Sequence, residues 1–98
     1  MDYKIIVSKR AQKEIEDSIE FYLNESSSAP IKFIEKIQST YNSLKQNPIQ
    51  RRRYKNVMSI RVDKFPFDLY FVTDEKMKQI RILSCFHQKR NPKRRPRS

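Results

Sequence analysis

The spacing of apolar residues changes once along this chain, at Asn47–Pro48. Before that point apolar residues recur every three or four positions, as Ala11, Ile15, Ile19, Tyr22 and Leu23 and then as Phe33, Ile34, Ile37, Tyr41 and Leu44. This spacing is typical of amphipathic helices. It predicts a helix from Lys9 to about Asn24 and a second from Ser28-Ala29-Pro30 to Asn47. The short polar connection between them predicts an antiparallel helical hairpin.

After Pro48 apolar and polar residues alternate, which is the period of half-buried strands. The alternating apolar positions are Met58, Ile60 and Val62, then Phe67, Leu69 and Phe71, and a third apolar run covers Gln79–His87. Short polar connections between these runs predict an antiparallel meander of three strands.

A further strand is predicted at the start of the chain. Tyr3–Val7 is β-branched, and Ser8 follows it as a good helix N-cap. This strand would join the sheet through the helical crossover. The predicted fold is therefore α+β, in the order β-α-α-β-β-β, with the helical hairpin covering one face of the sheet.

The 98 residues suffice for one domain, predicted over residues 1–87. Residues 88–98 contain six basic residues and no aliphatic or acidic ones, which predicts a flexible basic tail. The chain has 22 Lys and Arg against 11 Asp and Glu, a formal net charge of +11. Such an excess predicts a polyanionic or acidic partner.

Several classes of function are excluded by composition. Glycine is absent, so the glycine-rich loops that cradle nucleotide phosphates cannot occur. One His and one Cys, His87 and Cys85, are too few for a zinc site, and we expect neither a metal nor another cofactor. No apolar run approaches 18 residues, and the N-terminus lacks a signal core, so we expect a cytoplasmic protein without membrane contact.

A basic run, Arg51-Arg52-Arg53-Tyr54-Lys55, separates the helical hairpin from the meander. Arginine binds phosphates and carboxylates through two parallel hydrogen bonds, and a tyrosine ring can stack on a base. We predict that a surface loop presents these residues, together with Lys89 and Arg90, to a target or a nucleic acid. The alternative is an ordinary solvated loop.

Acid–base chemistry on RNA would require a base, an acid and cations around the phosphate. His87 has a suitable ordinary pKa, and Arg61 and Arg81 would supply the positive charge. The alternative is that His87 merely ends a strand and both arginines are solvated. Cys85 is more typical of a buried core residue than of a nucleophile.

Two strings carry a resemblance to a known superfamily. They are Lys64-Phe65-Pro66-Phe67-Asp68-Leu69-Tyr70-Phe71-Val72 and Ile82-Leu83-Ser84-Cys85-Phe86-His87-Gln88-Lys89-Arg90-Asn91-Pro92. With the order of elements, they make the chain similar to the RelE/ParE toxins. The resemblance implies the toxin of a bacterial type II toxin–antitoxin pair of the kind that stabilises plasmids, neutralised by an acidic antitoxin.

The superfamily divides by target, and the resemblance implies different roles in each branch. RelE-like members cut messenger RNA on the ribosome, and ParE-like members inhibit DNA gyrase. His87 matches a histidine of some ribosome-dependent members, but Gln88 stands where a tyrosine often follows, and Pro66-Phe67-Asp68 stands where an arginine is usual. The departures favour a ParE-like, gyrase-directed or otherwise non-nucleolytic toxin. The alternatives are a ribosome-dependent endoribonuclease that uses His87, Arg61 and Arg81, and a basic nucleic-acid-binding module without toxicity.

Overall fold

Two helices and five strands follow one another along residues 3–89, which are the residues that the computed structural model describes. The elements are β1 (Lys4–Val7), α1 (Lys9–Glu25), α2 (Ala29–Gln46), β2 (Arg51–Tyr54), β3 (Val57–Arg61), β4 (Phe67–Asp74) and β5 (Gln79–His87). The predicted α+β fold, with its helical hairpin and meander, is confirmed. It contains one strand more than the sequence predicted. The predicted tail at residues 88–98 lies mostly outside the described residues.

All five strands form one sheet in the order β1-β5-β4-β3-β2. The strands β2 to β5 pair antiparallel with their sequence neighbours, whereas β1 pairs parallel with β5, with Lys4 opposite Gln79 and Val7 opposite Ile82. The helical hairpin is the connection that makes this parallel pairing possible. The first strand therefore joins the sheet as predicted.

The extra strand is β2, which the sequence had placed in a loop. Arg51 lies opposite Ser59 and Arg52 opposite Met58, and a register shift follows before Tyr54 meets Val57. Every side chain of β2 is exposed, so its residues show no alternation of apolar and polar positions. Charged residues and a bulge are typical of edge strands, because they discourage pairing with other chains. The basic run is thus an edge strand and not a loop.

The helices cover one face of the sheet and bury the main core against it. Its buried residues are Ala11, Ile15, Phe33, Ile37, Tyr41, Leu44, Val62, Phe67, Leu69, Phe71, Ile80, Ile82 and Cys85. Cys85 is therefore a core residue, as predicted. We call this face of the sheet the covered face and the opposite one the open face. A smaller cluster of Val57, Tyr70 and Phe86 forms on the open face.

The start of α1 is fixed to the last strand through Ser8. Its hydroxyl accepts a hydrogen bond from the Ala11 N–H at 3.1 Å, which confirms the predicted N-cap, and donates to the Leu83 carbonyl at 3.1 Å. One side chain thus satisfies a free N–H of the helix and ties the helix to β5.

A bulge in β5 provides a second tie to α1. Tyr70 lies opposite Ser84 and Phe71 opposite Ile82, which leaves Leu83 as an extra residue. Beyond it, the Ser84 hydroxyl and the Cys85 N–H donate to the same Glu14 carboxylate oxygen at 2.6 and 3.1 Å. The bulge also reverses which side chains face the helices, since side chains alternate strictly along a regular strand.

The three hairpin turns that connect β2, β3, β4 and β5 are made without glycine. Each contains a lysine in the left-handed region, with φ of 48° at Lys55, 67° at Lys64 and 52° at Lys78. A residue with a Cβ atom adopts this conformation at a cost of roughly 1–2 kcal/mol. None of the helices in residues 3–89 has the length and apolarity needed to cross a membrane.

Candidate functional site

The edge strand β2 and its neighbours form a shallow depression of about 300 Å³ on the open face. It is lined by Gln50, Arg51, Arg53, Ser59, Ile60, Arg61 and Asp68. Arg51 and Arg53 come from β2, Arg61 from the end of β3, and Asp68 from the start of β4. We call the three arginines with Asp68 the arginine cluster.

Asp68 is the centre of the arginine cluster. Its two carboxylate oxygens face different arginines, with Oδ1 at 3.5 Å from Arg61 Nε and Oδ2 at 3.9 Å from Arg53 Nη2. Only 12% of the Asp68 side chain is exposed, against 30% for Arg53 and 60% for Arg61. A nearly buried carboxylate thus balances two guanidinium groups that solvent still reaches.

Neutral side chains also contact the same two arginines. Arg53 Nε donates to the hydroxyl of buried Ser59 at 2.6 Å. Arg61 donates from Nε to the Gln88 amide oxygen at 2.6 Å and from Nη2 to the same oxygen, with the amide turned so that its oxygen faces the guanidinium. The arginine heads are therefore fixed in place, which lowers the entropy lost when they bind a ligand.

Charge is distributed unevenly between this region and the helical hairpin. The segment from Arg51 to Arg61 contains five basic residues and no acid, whereas α1 contains five acids and three basic residues. Fields of one sign attract partners of the other. The β2–β3 edge is consequently the part of the described chain best suited to an anionic partner.

His87 lies on the covered face, away from the arginine cluster. It pairs with Phe67, a core residue, and the two rings meet edge to face at 5.0 Å between centroids. Its Nδ1 accepts a hydrogen bond from the Lys89 N–H at 3.1 Å. The bulge at Leu83 places His87 here, because without it His87 and Arg81 would share a face.

Arg81 occupies the other end of the open face. It lies opposite Val72, four residues along β4 from Asp68, which is about 13 Å at the usual rise per residue. Its depression, of about 340 Å³, also contains Asp74 and Glu75. The structure thus does not bring His87, Arg61 and Arg81 together, and their joint catalytic role remains a prediction that no contact supports.

The predicted binding residues fall into separate positions. Arg51 and Arg53 line the arginine cluster, whereas Arg52 pairs with Met58 beside them. Tyr54 is 40% exposed, with the Lys55 Nζ atom 5.4 Å from its ring centroid. Lys89 lines a groove with His87, and Arg90 lies outside the described residues.

Sequence reasoning missed the parts of the site that are not basic. Asp68 and Gln88 were noted only as departures from a nuclease pattern, and Ser59 was not considered. The alternation along β4 was the available signal for Asp68, since it places this carboxylate on the face opposite Phe67 and Leu69.

The groove beside His87 leads to an apolar end of the helical hairpin. The groove, of about 360 Å³, is lined by Asp17, Ser18, Phe21, Tyr22, Phe67, His87 and Lys89. Phe21, Leu23 and Ile31 are each more than half exposed. Burial raises the pKa of the Tyr22 hydroxyl, with smaller contributions from Cys85 and Glu25. Exposed apolar side chains near the turn between α1 and α2 are candidates for protein–protein contacts.

Comparison with known proteins gives one family and several structures. The family model of the ParE toxin of type II toxin–antitoxin systems matches residues 5–92. No curated protein matches the chain in sequence.

Several solved structures are similar to this fold, among them the following three. A chain of the chromosomal ParDE system from P. aeruginosa superposes with a TM-score of 0.74 at 16% identity, over 87% of this chain and 95% of that one. The YoeB dimer from Staphylococcus aureus gives 0.61 at 18% identity, over 89% and 99%. The archaeal RelE–RelB complex from Pyrococcus horikoshii OT3 gives 0.58 at 16% identity, over 93% and 100%.

Proposed function

This chain belongs to the ParE toxin family of type II toxin–antitoxin systems, and we propose that it is a non-nucleolytic, gyrase-directed growth inhibitor that an acidic antitoxin neutralises. The proposal has three parts, namely the mode of action, the surface that meets the target and the surface that meets the antitoxin.

The mode of action follows from the position of His87. General acid–base cleavage of RNA requires the proton-transferring group within hydrogen-bond reach of the reacting atoms, beside the cations that stabilise the phosphate. Here His87 packs on Phe67 on the covered face, whereas Arg61 is on the open face and bound to Asp68. This separation is the observation that supports a non-nucleolytic toxin.

The second candidate is a ribosome-dependent endoribonuclease. Two observations favour it: a histidine ends the last strand, and arginines line the open face. The fold is also shared with the YoeB and RelE structures. In this case Arg61 and Arg81 would contact the RNA backbone at separate places, and His87 would have to reach the RNA around the edge of the sheet.

The target would meet the β2–β3 edge. The basic run is exposed there, on a hairpin that the rest of the sheet holds in position. Its residues are Arg51, Arg52, Arg53, Tyr54 and Lys55. Lys89 lines the separate groove beside His87 and would make a second contact there. Rigid arginines and an exposed tyrosine are typical of contacts that contribute most to a protein interface.

The antitoxin would use charge and apolar contact together. The formal charge of +11 favours an acidic segment, and the exposed Phe21, Leu23 and Ile31 offer an apolar site on the helical hairpin. Two of the structural neighbours are a ParDE system and a RelE–RelB complex, which supports an antitoxin partner here.

Induced expression followed by purified assays tests the mode of action. We expect growth arrest, loss of DNA supercoiling by purified gyrase, and intact transcripts in a translating extract. His87→Ala should leave the arrest unchanged, whereas Arg51→Gln with Arg53→Gln should weaken it at least tenfold. Lys32→Gln, which removes an exposed charge from α2, is the matched control.

Two results would contradict the proposal. Transcript cleavage that disappears in His87→Ala would establish the nuclease instead. Binding of nucleic acid without any growth arrest would leave only the basic binding module. Co-expression of a short acidic protein from the adjacent reading frame should restore growth, and that rescue should weaken in Phe21→Ser.

A further inference from the structure

The arginine cluster has the composition of a phosphate site but contains a carboxylate at its centre. Guanidinium groups and hydroxyls are the usual ligands of phosphate in proteins. Asp68 and the Ser59 hydroxyl of β3 contact Arg53, and Asp68 and Gln88 contact Arg61. We propose that the cluster is a latent phosphate-binding site and that Asp68 determines its specificity by excluding phosphate from it.

The contacts of Asp68 are those that a bound anion would make. Each carboxylate oxygen faces one guanidinium, at 3.5 Å for Arg61 and 3.9 Å for Arg53. A phosphate that bridged the two arginines would place two of its oxygens in the same positions. Asp68 therefore acts as an internal counter-ion, and it belongs to a strand whose pairing fixes its backbone on both sides, with Arg61 on β3 and Phe86 on β5.

The charge and the burial of Asp68 both act to exclude phosphate from the arginine cluster. Since the Asp68 side chain is 12% exposed, water screens its charge only weakly. A phosphate in the depression would lie against this carboxylate and would compete with it for the same N–H groups. At comparable distances the repulsion by this carboxylate cancels what one further arginine, Arg51, would contribute.

The consequence is a basic surface that discriminates among anions. A nucleic-acid backbone must pass the open depression, and Asp68 repels it there. A protein partner can leave Asp68 in place and donate hydrogen bonds to it. The biological role of this discrimination rests on the proposed function, which assigns the same arginines to the contact with the target. The phosphate chemistry of the site does not depend on it.

The test measures phosphate binding by the purified full-length chain. Titration with inorganic phosphate is followed through the arginine side-chain Nε resonances in NMR. We expect Asp68→Asn to bind phosphate at least tenfold more tightly than the unmodified chain. Asp63→Asn is the matched control, because it removes the same charge five residues away, from an aspartate bound to Lys36 and 68% exposed.

Two further arms identify the ligand and the site. A short single-stranded RNA is titrated beside inorganic phosphate, so that a preference for a phosphodiester chain is distinguished from binding of the free ion. The gain in Asp68→Asn should disappear when Arg53→Gln is added. Equal affinities in Asp68→Asn and Asp63→Asn would overturn the proposal, as would a gain that survives Arg53→Gln.

A measurement on the unmodified chain tests the proposal even where a variant fails to fold. The Arg53 and Arg61 Nε resonances of the unmodified chain should stay unchanged when phosphate is added, and a saturable shift in both would overturn the proposal. Asp68→Ser serves as the second variant where circular dichroism shows that Asp68→Asn is unfolded. None of these readouts involves gyrase or growth, so their failure is distinct from failure of the proposed function.

Discussion

The two faces of the sheet are built by different interactions. On the covered face, apolar side chains of both helices pack against β4 and β5 and exclude water. On the open face near β2, ion pairs and hydrogen bonds connect Arg53, Ser59, Asp68 and Arg61. Apolar burial supplies most of the free energy of folding, whereas exposed ion pairs supply little. The covered face therefore sets stability, and the residues of the open face are available for recognition.

The largest effect on stability is expected for Phe33→Ala on the covered face. Phe33 is fully buried and contacts the rings of Tyr22, Phe65 and Phe67 at 5.2–5.4 Å between centroids. Its truncation should lower the free energy of unfolding by about 3–5 kcal/mol. Urea denaturation measures the loss, and Ile31→Ala on the same helix, where the side chain is 59% exposed, is the control. Equal losses in the two variants would refute the assignment of the core.

A second test uses the buried hydroxyl of Tyr41. Burial raises the pKa of Tyr41 from its usual 10.0 to about 12, and Cys85 adds to this effect. As the pH rises, the unfolded chain therefore loses this proton before the folded chain does. The contribution of the Tyr41 hydroxyl to the free energy of unfolding is constant below pH 10. It falls as the pH rises from about 10 to about 12. One pKa unit corresponds to about 1.4 kcal/mol, which predicts a loss of about 2 kcal/mol by pH 12.

Tyr41→Phe should remove this part of the alkaline loss. Unfolding free energies at pH 8 and near pH 11.5 provide the measurement, and Tyr54→Phe, in an exposed position, serves for comparison. The same pH dependence in Tyr41→Phe and the unmodified chain would show that the hydroxyl is accessible to solvent.

A smaller effect is expected where the covered face begins, at Ser8. Ser8→Ala removes the cap of α1 and the hydrogen bond to Leu83, which should cost about 1 kcal/mol. Ser8→Thr keeps the hydroxyl and should recover most of this loss. Thermal unfolding of the unmodified chain and of the two variants measures this loss. An unchanged melting temperature in Ser8→Ala would mean that water replaces both hydrogen bonds.

The smallest effect is expected on the open face, for Arg61→Gln. The Arg61 side chain is 60% exposed, and pairs of this kind contribute at most about 1 kcal/mol. The free energy of unfolding should therefore change little, while the growth inhibition assigned to the arginine cluster should weaken. A loss of stability as large as that of Phe33→Ala would remove the distinction between the two faces.

The covered face could be predicted from the sequence because it follows periodicity. Stripes with helical spacing and strands with period two identified both helices, the meander and most of the core. The bounds of β5, Gln79–His87, coincide with the predicted apolar run. The family resemblance rested on the same strands and agrees with the match over residues 5–92.

The open face could not be predicted in the same way, because its structure comes from pairing and not from local pattern. Four exposed residues of β2 carry no alternation, and only hydrogen bonds to β3 make them a strand. The bulge at Leu83 is likewise invisible to periodicity, although it separates His87 from Arg81. Contacts across strands, such as Arg53 with Asp68, depend on both features.

The parallel pairing of β1 with β5 has a consequence for the synthesis of this toxin. Residues 4–7 pair with residues 79–82, so β1 can join the sheet only after a segment 75 residues further along the chain has been made. Folds whose contacts join distant parts of the chain form slowly. A nascent chain that stops before β5 would lack the strand with which β1 pairs, so the complete sheet can form only after β5 has been translated.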